Sequence, residues 1–129
     1  MTLRALAEGA DVSAAVSIAG LADLFIGGEE DWRGFLKYLP EDEQQNPEAM
    51  LKKRSGAYWA EKIQVPLLLL HGDGDDIVVH AHSERMAEAL AEHRDDHALH
   101  IYPDGNHALV RDWADVLKRC SEWMDQHVA

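Results

Sequence analysis

The chain has 129 residues, of which 47% are apolar, and its 24 acidic and 12 basic side chains leave a net charge of −12. That length suits one domain with a sizeable core, and the charge repels phosphate backbones and anionic lipid, so nucleic acid and membrane surfaces are not the expected partners. The one cysteine, Cys120, excludes an internal disulfide framework and a Cys-based zinc site.

The start, Met1 to Glu8, lacks the apolar core of a signal peptide, and no run of ~18 apolar residues exists to cross a bilayer, so a cytoplasmic location is expected. Residues 1–9 have the character of a helix interior, with Leu3, Leu6 and Ala10 at helical spacing and Gly9 as a stop. A helix that opens without a cap is expected of the cut end of something larger. Residues 12–20 are small, β-branched and nearly uncharged, which suits a strand buried on both faces. Trp32, Phe35, Leu36 and Leu39 share one face of a short helix that Pro40 ends, and Gly27-Gly28 reads as a turn. Glu41-Asp42-Glu43 is expected to be a solvated loop. Asn46-Pro47-Glu48 is a helix start, and the helix is expected over residues 47–54.

Val65-Pro66-Leu67-Leu68-Leu69-Leu70 is the strongest strand signal, again apolar throughout. An Asp/Gly-rich loop follows over residues 71–76. A helix is predicted over 82–93, with Met86, Ala89, Leu90 and His93 on one side. A strand is predicted over 97–102, and Pro103-Asp104-Gly105-Asn106 is turn chemistry. A last helix, from about Ala108 to His127, is predicted to bury one stripe that includes Leu109, Trp113, Val116, Leu117, Cys120, Trp123 and Met124. Strands alternating with helices imply an α/β fold: a parallel sheet of about three strands with helices on both faces, joined by right-handed crossovers, in one domain over 1–129.

Functional groups of open parallel sheets gather beyond the carboxyl ends of the strands. Two loops stand there: His71 to Asp76, and Asp104-Gly105-Asn106-His107. An Asp on one and a His on the next meet if their strands are neighbours. A carboxylate so placed orients an imidazole and stabilises its cation, while the other ring nitrogen takes a proton from a nucleophile.

Pro66 through Val78, an apolar strand followed by His-Gly, two residues, an acid, two residues and Val, resembles the acid loop of α/β-hydrolases, especially of the prolyl-oligopeptidase family of serine peptidases and its esterase relatives. The resemblance implies that Asp75 is the triad acid, with Asp76 the alternative one residue on. Tyr102-Pro103-Asp104-Gly105-Asn106-His107 is similar to the same family's histidine loop, which implies that His107 is the triad base. The lead-in from Arg54-Ser55 to Ile63 and the opening helix and strand fit as well. The resemblance covers nearly the whole chain but only the second half of such a catalytic domain. The chain also departs from that family in one respect. The nucleophile elbow Gly-x-Ser-x-Gly is absent: Ser13 and Ser17 fall on the first strand, and Ser55, Ser83 and Ser121 have no glycine bracket. The resemblance therefore implies a serine hydrolase fragment, acting on a peptide or ester in its parent, that carries acid and base without nucleophile and is inactive alone. It implies no cofactor.

Two other readings stand beside it. One is a non-catalytic binding or scaffold module of the same fold. The other is a metal site using His80, His82, Asp73, Asp75 and Asp76. The loop from Asp73 places Asp75 and Glu84 at EF-hand positions three and twelve, but Ile77 and Val78 occupy positions five and six, where an oxygen ligand and a glycine are needed. His71 is expected to stabilise its loop rather than react. Trp32 and Phe35 are placed either in a substrate pocket or in loop packing. The strand near Val12–Ile18, lacking a neighbour on one side, is expected to pair with a second copy of the chain.

Overall fold

The computed structural model describes residues 2–128. Three strands, β1 (Ala15–Ile18), β2 (Leu67–Gly72) and β3 (His97–Tyr102), form one sheet in the order β1-β2-β3, and both pairs are parallel. The helices are α1 (Thr2–Ala7), α2 (Glu29–Leu36), α3 (Pro47–Arg54), α4 (Ala81–Ala91) and α5 (Trp113–His127), with a 3-10 helix over Gly56–Lys62. The α/β class and the parallel sheet are as the sequence pattern implies.

The alternation of β2 builds two cores. Leu67 and Leu69 face Leu3 and Leu6 of α1, Ala57 and Ala60 of the 3-10 helix, and Met86 and Leu90 of α4. Leu68 and Leu70 face the other way, onto Tyr102, Leu109, and Val116 and Trp123 of α5. Each fully buried leucine stabilises the fold by about 1.5–3 kcal/mol relative to exposure, so β2, buried along its whole length, is the seam of the domain. Tyr102 ties the second layer together: its hydroxyl donates to Asp115 Oδ2 at 3.0 Å. Burial, aided by that carboxylate, pushes the phenol up to about 12.

Several boundaries differ from the sequence pattern for identifiable reasons. β2 starts at Leu67 because Pro66 has no N–H for the ladder; its carbonyl instead accepts from Ala15 N–H at 2.9 Å. α5 starts at Trp113, not Ala108, because Leu109 is fully buried with a φ of 50°. A left-handed residue cannot sit inside a right-handed helix, so turns carry the chain from Asn106 to Asp112. The predicted apolar stripe is narrower than its pattern. Val116 and Trp123 are buried, but Trp113 is 45% and Leu117 54% exposed, so Trp113 is not a core residue. His93 likewise lies in solvent while Met86, Ala89 and Leu90 are buried. α3 has its predicted limits, with Asn46 Oδ1 accepting from Ala49 N–H. Gly27 and Gly28 form the expected turn, both at positive φ. Of the acidic run, Glu43 pairs with Arg54, while Glu41 and Asp42 face solvent.

β1 is an edge. Ala15 and Ala19 N–H donate to Pro66 and Leu70 carbonyls, and the parallel ladder's alternation turns the backbone groups of Val16 and Ile18 away from β2.

Candidate active site

Asp75 lies three residues beyond β2 and His107 five beyond β3, at the same end of adjacent strands. His107 Nδ1 is 2.8 Å from Asp75 Oδ2. The acid's side chain is fully shielded from solvent, whereas 39% of the imidazole's surface is open. Asp75 Oδ1 accepts from the Ile77 and Val78 amides, at 2.9 Å each. Burial alone raises the carboxyl's pKa, but the Val78 amide, the His107 imidazole and the Ile77 amide together outweigh it and hold the group below the ordinary carboxylate range. It is a fixed buried anion. Because a carboxylate only accepts, His107 must carry its proton on Nδ1. Nε2 has no hydrogen-bond partner among the described residues and is left for other chemistry.

Two loops are locked together to make this contact. Asp73 N–H donates to Tyr102 O at 3.1 Å, and Asp73 Oδ1 accepts from Asp104 N–H at 2.6 Å. Gly72 and Gly105 touch backbone to backbone: a Cβ on Gly72 would lie 2.0 Å from Gly105 O. No side chain fits there, so the glycines are a packing requirement of the site.

A second imidazole stands behind the acid. His71 is fully buried, with Nδ1 2.7 Å from Ser83 Oγ and Nε2 2.7 Å from Val78 O and 3.2 Å from Asp75 Oδ2. A carbonyl can only accept, so Nε2 bears a proton.

His107 also lines a cleft of about 370 Å³ bounded by α1, the loop after β1 and residues Val16, Ile18, Gly20 and Val78. The loop after β1 is pinned from below. His82 Nδ1 accepts from the Ala22 and Asp23 amides at 3.3 Å each, and Ser55 Oγ accepts from Leu24 N–H at 2.8 Å.

The other sequence candidates are dispersed. Asp76 is exposed and makes no side-chain hydrogen bond among the described residues. The metal reading loses its cluster: His82 faces backbone amides, His80 pairs weakly with Glu84 at 3.7 Å, and Asp73 holds the Asp104 amide. Among the described residues no three His, Cys, Asp or Glu side chains converge as a metal site. Trp32 is half-buried and Phe35 is 43% exposed, and neither lines the cleft beside His107. Sequence reasoning missed the clamps made by Asp73, Ser83 and the Gly72–Gly105 contact. The one available signal was a histidine and a glycine ending an otherwise apolar strand.

Parallel strands, helices on both faces and a carboxylate–imidazole pair at the strand ends define an α/β-hydrolase. The chain belongs to the prolyl oligopeptidase family, whose model matches residues 1–129; it is a serine hydrolase-like domain. No curated protein matches it. Among solved structures it is similar to a puromycin-hydrolyzing peptidase of Mycobacterium tuberculosis, at 27% identity and a TM-score of 0.63, over 86% of this chain and 18% of that one. It is similar in fold to dipeptidyl peptidase 4 of Porphyromonas gingivalis, at 21% identity and a TM-score of 0.80, over 98% of this chain and 18% of that one. It is also similar in fold to the esterase domain of a Rhodothermus marinus protein, at 18% identity and a TM-score of 0.69, over 99% of this chain and 57% of that one. The chain thus spans about a fifth of the peptidases and just over half of the esterase domain.

Proposed function

We propose that this chain is the acid–base half of a serine hydrolase that cleaves esters or peptides through an acyl-enzyme. The observation that carries the reading is the 2.8 Å contact between a buried, ionised Asp75 and a part-exposed His107. Asp75 holds the imidazole in the Nδ1–H form. Nε2 then takes the proton of an attacking hydroxyl and later returns it to the leaving group.

None of the chain's five serines stands in Gly-x-Ser-x-Gly, and Ser55 and Ser83 are already engaged in structural hydrogen bonds. The nucleophile therefore comes from polypeptide outside these residues, seated against the open edge of β1, where the cleft beside His107 lies. The chain alone is inactive, since both the nucleophile and the oxyanion donor that follows it are wanting. The peptidases and the esterase that the chain resembles support acyl transfer as the reaction class and leave both substrate classes open.

A fluorophosphonate probe tests this in two arms. The isolated chain should not be labelled. Joined to a strand and elbow bearing Gly-x-Ser-x-Gly, it should be labelled at that serine, and His107→Ala should abolish the labelling. Labelling of any serine of the isolated chain, or labelling of the joined protein that survives His107→Ala, would refute the proposal. A joined protein that is not labelled at all would refute it too, in favour of a non-catalytic module of the same fold.

A further inference from the structure

We propose that His71 is a positioning residue for the Asp75–His107 pair, anchored through Ser83, and that it acts by deciding which nitrogen of His107 carries the proton. This rests on the acid–base reading of that pair.

His71 sits where the acid loop leaves β2, in full burial. Its Nε2–H is shared between Val78 O at 2.7 Å and Asp75 Oδ2 at 3.2 Å. Both contacts bear on the acid. The Asp75 carboxylate is pinned at Oδ1 by the Ile77 and Val78 amides, which leaves rotation of Oδ2 about that point. His71 is the protein's own brake on this rotation, since among the described residues the only other donor at Oδ2 is His107 itself. The contact to Val78 O holds the peptide segment whose N–H groups grip Oδ1. One imidazole thus fixes both ends of the carboxylate.

The ring's own orientation is set from the far side. Ser83 Oγ, buried on α4, lies 2.7 Å from Nδ1. With Nε2 committed to a carbonyl, Nδ1 is free to accept, and the Ser83 hydroxyl donates to it. His71 therefore needs no charge, and a neutral donor next to Asp75 leaves the acid's negative charge for His107. The chain of contacts runs from α4 through Ser83, His71 and Asp75 to His107. A merely space-filling side chain at 71 would satisfy none of it and would take away the donor that Val78 O has in this part-buried contact.

The test reads the tautomer of His107 directly, by long-range proton–nitrogen NMR of the ¹⁵N-histidine-labelled chain at about pH 9, where an ordinary imidazole is neutral. The unmodified chain should show His107 as Nδ1–H. In His71→Leu the signal should move to a mixture in which Nε2–H, the form an unconstrained imidazole prefers, predominates. His71→Gln, whose side-chain amide can stand where Nε2–H stands, should keep Nδ1–H. Ser83→Ala should give an intermediate population. A folded His71→Leu with His107 unchanged would overturn the proposal. If His71→Leu does not fold, the two milder variants decide. A shift in Ser83→Ala with retention in His71→Gln supports the role, and no shift in Ser83→Ala refutes it. Failure of the acid–base reading looks different: His107 would already be Nε2–H in the unmodified chain, or Asp75→Asn would leave it as Nδ1–H.

Discussion

Replacing Gly72 with alanine tests whether the two loops are held together by backbone contact. The added methyl would stand 2.0 Å from Gly105 O, 2.3 Å from its carbonyl carbon and 2.8 Å from its Cα. Ordinary carbon contacts need about 3.5 Å, so the strand-end backbones must part by roughly 1 Å or more. No flexible side chain can give way, because the three nearest atoms are all main chain. His107 follows Gly105 by two residues, and its bond to Asp75 is 2.8 Å long. A displacement of that size carries it beyond hydrogen-bond reach. Overpacking costs about 1–3 kcal/mol, and loss of a hydrogen bond to a buried charge about 1.5–3 kcal/mol. The expected loss of stability is therefore about 2.5–6 kcal/mol. With a urea slope of about 2 kcal/mol per molar, the midpoint should fall by roughly 1–3 M. Urea denaturation followed by tryptophan fluorescence measures the first effect, and the His107 tautomer by NMR measures the second. A Gly72→Ala chain of unchanged midpoint, with His107 still Nδ1–H, would show that the loops are not held as described.

The opposite sign is expected at Gly34, where an added methyl meets nothing within 4 Å inside α2. Gly34→Ala should raise the helical content of that segment and add up to about 1 kcal/mol, read by circular dichroism and the urea midpoint. Acid should weaken the fold in two stages. Burial holds His82 below the usual imidazole value, because Nδ1 must stay unprotonated to accept two amides. Its folded pKa is depressed, so its contribution is complete above the unfolded value of about 6.5 and is lost as pH falls through the folded one. Asp75, also depressed, contributes fully above about 3.9 and fails at lower pH. His82→Phe should remove the first stage from a plot of urea midpoint against pH; a first stage that persists in this variant would exclude His82 as its source. We also propose that the open edge of β1 pairs the isolated chain with a second copy. Val12 and Ile18 are 45% and 37% exposed and uncharged there. Light scattering at two protein concentrations should show association that Ile18→Lys reverses, whereas a strictly monomeric chain would count against the open edge.

The sequence by itself determines the parallel sheet, because largely apolar strands alternating with helices have few other ways to bury their surface. It also places Asp75 and His107 at strand ends, since the loops that bear them directly follow the clearest strand and the last one. Local patterns are enough for both, as periodicity and turn chemistry act over a few residues. What lies around that pair was decided only in three dimensions. His71 meets Ser83 across 12 positions, Asp73 holds the Asp104 amide across 31 and His82 caps Ala22 across 60. Gly72 reads as a flexible loop residue until Gly105 is seen pressed against it. Trp113 and Leu117 fit the apolar stripe of their helix yet face solvent, because Leu109 enters the core in a left-handed turn and delays the start of α5. Each of these depends on which surfaces the crossovers bring into contact, and that contact is a property of the packed sheet rather than of any single segment.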